Sequence, residues 1–192
     1  MKDGQATRRR LLDAATQEFA AHGIAGARVD RISANAKANK AQLYAYYGDK
    51  DGLFDAVFRE HADHIVNAVP MTADDLPGYA VRLYDEGVER PELARLAAWT
   101  RLERVPVGEL VSHMGEQTER KLSAIADAQR DGLVAAALAP EDVLAMVMMM
   151  ALAWSPISFF YTATKDDPEA DHDRRRRALA EMVRRAVSPE PA

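Results

Sequence analysis

Apolar residues recur along most of the chain at intervals of three and four. Leu11, Leu12, Ala15 and Phe19 form one stripe between Arg8 and His22, and Gly23 stops it. Val29, Ile32 and Ala36 turn to one face of a second, shorter segment, and Leu43 and Tyr47 do the same at i and i+4 in a third. Segments this short are not stable alone in water. The three together predict helices around a small shared core, with Asn39 placed to cap the third.

The periodicity continues beyond Lys50. Leu53, Phe54, Val57, Phe58, His61 and Ile65 describe one long amphipathic helix, which polar residues from Pro70 to Pro77 interrupt. Tyr79 to Glu89 and Pro91 to Glu103 read as two further helices, Pro91 suiting a first turn. After a break at Val105 to Gly108, a long helix is expected from Glu109 or Ser112 to Gly132, with Met114, Leu122, Ile125 and Ala126 facing inward. Residues 168–187 carry Leu179, Met182, Val183, Ala186 and Val187 as an i, i+3, i+4, i+7, i+8 stripe on a highly charged helix. No β-branched alternation is present, so the fold class expected is all-α.

Val143 to Ala163 is uncharged over 21 residues, which meets the length of a membrane span. Ser155, Pro156 and Ser158 near its middle, Ala in place of Leu or Val, and the lack of a basic cluster at either end oppose that reading. A buried helix, bent or stopped near Pro156, is expected instead.

The polar residues of the third segment carry the candidate chemistry. Lys40, Gln42, Tyr44 and Ala45 project near the start of that helix, where a recognition helix meets base edges and phosphates. Gln pairs bidentately with adenine, Lys meets guanine or a phosphate, and the Ala45 methyl suits a thymine methyl. A solvated helix face above buried tyrosines has the same composition, and helix-turn-helix shape also occurs in proteins that bind no DNA.

The wider motif separates these readings. Phe19, Ala20 and Gly23, then Ile32 and Ser33, then Leu43, Tyr44, Tyr46, Tyr47, Lys50, Leu53 and Phe54 fall at the spacings F-A-x-x-G, I-A and L-Y-x-Y-F-x-x-K-x-x-L-F. In these the segment from about residue 6 to 58 resembles the N-terminal domain of the TetR family of transcriptional regulators. The resemblance implies DNA contacts from Arg28, Val29, Lys40, Ala41, Gln42, Tyr44, Ala45, Tyr46 and Lys50. It also implies a DNA-binding domain over residues 1–50 and a helical effector-binding and dimerisation domain over residues 51–192. Four positions depart from the pattern: Arg28 and Val29 replace a Thr pair, Lys37 stands at a turn that normally holds Gly, and Ala45 replaces a frequent His.

Charge supports a division of the chain. The whole carries a net −5, yet residues 1–50 hold nine Lys or Arg against five Asp or Glu. A basic end on an acidic body suits a protein that touches DNA at one end. With no cysteine there is no disulfide framework, thiolate catalyst or zinc knuckle. MKDGQATRRR has no apolar core of a signal peptide, so a cytoplasmic protein is expected. Arg8, Arg9 and Arg10 suit either a basic arm beside phosphates or a solvated helix start. Arg174 to Arg177 follow closely on Asp166, Asp167, Glu169, Asp171 and Asp173, which favours a solvated, salt-bridged helix start over a second DNA contact.

The remaining partners follow from the family and from the apolar helices. A homodimer held by Leu179, Met182, Val183 and Ala186 of the last helix, with the apolar helix before it, would set two recognition helices on a two-fold axis to read a palindromic operator. Trp99, His113, Met114, Gln117, Met149 and Trp154 are the candidate lining of an effector pocket for an apolar or weakly polar small molecule, Thr100 and Arg101 being further polar anchors. His61 and His64 are one helical turn apart, a spacing easily met by chance, and neither a metal site nor a cofactor is assigned. The function expected is a DNA-binding regulator, a repressor released by its effector, and not an enzyme. The alternative is a ligand carrier or enzyme domain with a non-functional helix-turn-helix, for which the chain offers no nucleophile elbow, phosphate loop or paired carboxylates.

Overall fold

The computed structural model describes residues 2–108, 110 and 115–189, with the side chains of residues 2 and 3 outside that description. Among these residues all regular structure is helical: α1 (Lys2–Gly26), α2 (Val29–Asn35), α3 (Lys40–Tyr47), α4 (Lys50–Ala68), a 3-10 turn (Ala73–Asp75), α5 (Leu76–Glu89), α6 (Glu92–Glu103), α7 (Gly115–Arg130), α8 (Pro140–Ala151) and α9 (Glu169–Val187).

These helices form two compact units, and the chain passes between them more than once. The first comprises residues 1–66 and 92–110, the second residues 67–91 and 111–192. In the first unit α1 is the central element, with α2, α3 and α6 packed on it. Leu11, Ala15, Phe19, Ile32, Leu43, Leu53 and Phe54 are buried there, and Phe19 meets Phe54 edge to face at 5.1 Å. The stripes seen in the sequence thus converge on one core, as a set of short amphipathic helices must to be stable.

α1 begins earlier than its apolar stripe because its arginines find partners inside the unit. Arg9 pairs with Asp13 at 2.9 Å and Glu60 at 2.5 Å. Arg10 donates to the Ala36 carbonyl at 3.0 Å, and the Tyr47 hydroxyl donates to the Arg8 carbonyl at 3.1 Å. At its other end α1 breaks at Gly23, where φ is 73°. A Cβ there would lie 2.9 Å from the Trp99 ring and 2.5 Å from Glu103 Oε1. Glycine is required both for the left-handed backbone and for the approach of α6.

In the second unit α5 packs on α8 and α9, and α7 on α8. Leu76, Tyr79, Ile125, Val143, Val147, Leu179 and Val183 supply its buried apolar side chains. α8 ends at Ala151, short of the stop expected near Pro156. Its end is set by tight turns, not by proline: the Leu152 amide donates to the Met148 and Met149 carbonyls, and Ala153 and Ser155 each donate three residues back. The Ala163 amide then donates to the Trp154 carbonyl at 2.8 Å, closing the loop toward α9. No helix among the described residues is long and apolar enough to cross a membrane.

Candidate nucleic-acid interface

The pair α2 and α3 is positioned by a buried carboxylate that no sequence motif announced. Glu18 of α1 is 5% exposed. It accepts the Arg28 amide at 2.8 Å and the Arg31 guanidinium at 2.8 and 3.0 Å. Arg28, the N-cap of α2, makes no side-chain cap of its own, so Glu18 meets the amide that precedes the helix. Burial raises the Glu18 pKa, but the Arg31 and Arg28 hydrogen bonds outweigh it and hold the carboxyl below its ordinary range.

The turn after α2 is left-handed at Lys37, with φ 51°. Lys37 N donates to the Ala34 carbonyl at 3.1 Å and Ala38 N to the Ser33 carbonyl at 3.0 Å. This pair of bonds is a Schellman closure, which glycine adopts at least cost and a lysine adopts under mild strain. The chain therefore keeps the turn geometry usual for glycine with a lysine in its place.

Asn39 caps α3 as expected. Its side chain accepts the Gln42 amide at 2.8 Å, and the Gln42 side-chain oxygen accepts the Asn39 amide at 3.1 Å, completing a capping box. Leu43 alone on α3 is buried. Ala41, Gln42, Tyr44, Ala45 and Tyr46 are exposed, so the helix turns one anchor inward and its polar face to solvent. Arg28 is exposed and Val29 half-buried beside them. Lys40 pairs with Asp30 of α2, which holds its ammonium above the ordinary range. Lys50, at the start of α4, donates to the Ala25 and Ala27 carbonyls at 3.2 and 3.4 Å. It thus ties α4 to the end of α1, a positioning role that its place in the motif did not indicate.

The effector candidates are distributed over both units. Trp99 lies in the first unit, on α6, with its indole donating to the Ala20 carbonyl at 3.3 Å. Thr100 and Arg101 are engaged locally, with Leu96 and with the Val105 and Gly108 carbonyls. In the second unit Trp154 meets the buried Tyr84 ring edge to face at 5.7 Å. Gln117 is half-buried on α7, and Met149 of α8 is 59% exposed. His113 and Met114 lie outside the described residues. His61 is 3.3 Å from the Thr16 hydroxyl, and no group of three metal-ligating side chains occurs among the described residues.

Of the four proposed interface residues on α9, Leu179 and Val183 are 3% and 0% exposed within the chain itself, whereas Met182 is 60% exposed and Ala186 is exposed. The arginine run behaves likewise. Arg175 is 3% exposed with Asp167 at 2.8 Å, and Arg176 is held by Asp85, Glu169 and Asp173. Arg175 is thus buried where a solvated run was expected; it continues the inward series of Leu179 and Val183 at intervals of four, a spacing that would have indicated its burial. Beside it the Tyr84 hydroxyl lies 2.7 Å from His172 Nδ1, a buried polar contact between α5 and α9 that no motif marked.

Comparisons with known proteins bear on both units. Residues 11–57 match a family model described as bacterial regulatory proteins, tetR family, and residues 75–185 match a tetracyclin repressor-like C-terminal domain. The chain is 42% identical over 153 residues to the HTH-type transcriptional repressor SCO4008 of Streptomyces coelicolor, covering 78% of this chain and 79% of that protein. It is 32% identical over 99 residues to the HTH-type transcriptional repressor NicS of Pseudomonas putida, covering 48% and 47%. Among solved structures, the transcriptional-regulator candidate SCO4942 of Streptomyces coelicolor superimposes with a TM-score of 0.79 at 35% identity, covering 94% of this chain and 98% of that one.

Proposed function

The chain belongs to the TetR family of transcriptional regulators, and from that membership we propose a homodimeric repressor that grips a palindromic operator through α3 and is released by a small molecule. The observation that carries the DNA-reading role is the exposed face of α3, with Gln42, Tyr44, Ala45 and Tyr46 in solvent while Leu43 anchors the helix in the core. Arg28, Val29, Lys40 and Ala41 flank that face and contact the sugar-phosphate backbone and base edges. Lys50 adds a phosphate contact through the part of its ammonium not directed at the Ala25 and Ala27 carbonyls. These functions belong to residues 1–50, and effector binding and dimerisation to residues 51–192.

Dimerisation is supported by the outer faces of α8 and α9. Met146, Met149 and Met182 are 58%, 59% and 60% exposed, and Phe159 and Phe160 of the intervening loop are almost wholly so. Apolar side chains in this density are covered in a functional protein. A second copy, placing the same faces together, also supplies the second recognition helix that a palindrome needs. Leu179 and Val183 hold α9 within its own unit, and Met182 and Ala186 make the intermolecular contact. The effector is apolar or weakly polar and binds in the second unit beside Trp154 and Gln117; Trp99 serves α1 in the first. The protein acts in the cytoplasm.

Selection from a random duplex pool at moderate salt tests this reading. A roughly palindromic sequence should be enriched, bound as one or two dimers, with affinity falling by orders of magnitude between about 50 and 200 mM salt. Failure to enrich any duplex would remove the proposed function.

A further inference from the structure

We infer that Arg8 grips a DNA phosphate beside the C-terminal end of α3, a contact outside the helix-turn-helix itself; the inference rests on α3 being the reading helix. Arg8, Arg9 and Arg10 are consecutive, so their side chains leave α1 about 100° apart and meet different surroundings. Arg9 lies between Asp13 and Glu60, and its charge is met from within the unit. Arg10 turns to the Ala36 carbonyl and the Thr7 hydroxyl at 3.0 and 3.1 Å, which places it at the end of α2. Arg8 is exposed, and its guanidinium meets no carboxylate among the described residues.

Arg8 is nevertheless fixed in place, and fixed against α3. Its guanidinium carbon lies over the Tyr47 ring, 5.7 Å from the centre, and the Tyr47 hydroxyl donates to the Arg8 carbonyl at 3.1 Å. Gly4, one turn earlier on the same face of α1, approaches the neighbouring tyrosine: a Cβ on it would lie 3.3 Å from the Tyr46 hydroxyl. Tyr46 is 39% exposed and belongs to the face of α3 assigned to DNA. One face of the first turns of α1 thus runs beside the last turn of α3 and brings a cation without a counter-ion to it. A duplex that receives α3 in its major groove sets phosphates along the flanks of that helix. A guanidinium lying over a ring keeps its edge N–H groups for a phosphate oxygen. Such a contact adds affinity and register and carries no base preference.

A duplex enriched by the wild type supplies the test. Between about 50 and 200 mM salt, Arg8→Ala should lower the slope of log affinity against log salt by about 0.9, and should weaken specific and non-specific duplexes alike, about five- to tenfold near 0.1 M. Arg8→Lys keeps the charge and should keep most of the slope. Duplexes carrying one neutral methylphosphonate at a time locate the partner. One phosphate in each half-site should weaken the wild type when neutralised and leave Arg8→Ala unaffected, a coincidence that a merely loosened α1 does not produce. An unchanged salt slope in Arg8→Ala, or a methylphosphonate profile identical to that of the wild type, would overturn the inference while leaving DNA binding intact. If the wild type enriches no duplex at all, the DNA-reading role itself falls, and this inference with it.

Discussion

At the scale of single residues, the chain hides its most consequential charges on faces that look apolar. Glu18 sits three residues after Ala15 and seven after Leu11, which puts it on the inward face of α1, yet spacing gives no hint that Arg31 and the Arg28 amide await it. Arg175 repeats the pattern on α9 with Asp167. Periodicity reveals which face a residue shares; it does not reveal a partner distant in sequence. Glu18 also has a pH consequence. Because its folded pKa lies below the ordinary 4.5, its stabilisation is present above that value and is lost as pH falls through the folded pKa. Glu18→Gln should accordingly cost about 1 to 3 kcal/mol at neutral pH, and the gap between variant and wild type in thermal melts should close on acidification below pH about 4. A gap that stayed constant with pH would mean that the carboxylate's charge plays no part.

At the scale of elements, helix positions were largely legible, because each has an apolar stripe of its own and caps such as Asn39 mark the starts. What the stripes could not give was the direction of a face shared between two neighbours. The stripe of α9 is wide enough to serve both: Leu179, Val183 and Val187 point into the unit, while Met182 and Ala186 point out. The end of α8 was misjudged for a related reason, since the backbone turns that stop it at Ala151 leave no proline or glycine signature at that point. The two sides of α9 should respond differently to charge. Met182→Glu should leave helical content unchanged and yield monomers in sedimentation, an unpaired charge in an interface costing several kcal/mol. Val183→Glu should instead unfold the second unit. A Met182→Glu protein that remains dimeric would move the interface elsewhere.

At the scale of the whole molecule, the motif read from residues 6–58 located α2 and α3, but nothing in it showed that α6 packs with them on α1. Trp99 looked like a ligand-lining aromatic for this reason; it packs over Gly23, and its neighbour Glu103 accepts the Ala25 amide at 2.7 Å. Arg104, just beyond α6, pairs with Asp55 at 2.6 Å and with Asp51, and lies over the Phe54 ring. If an effector releases the operator, linkage requires that operator DNA weaken the effector by the same factor, a coupling of about 1 to 3 kcal/mol. Thermal-shift titrations with lipophilic compounds, run with and without operator, should show that reciprocity; compounds that stabilise the protein yet leave operator affinity untouched would refute induction. The return of α6 also bears on how such proteins can be recombined. A fragment cut at residue 68 would leave the Gly23 kink of α1 without the Trp99 ring and the Glu103 carboxylate that meet it, so it should not move intact as a cassette to a foreign body. A chimera must carry residues 92–110 along or find their equivalent in its host, and grafts that respect only the contiguous N-terminal stretch should express as unstable protein.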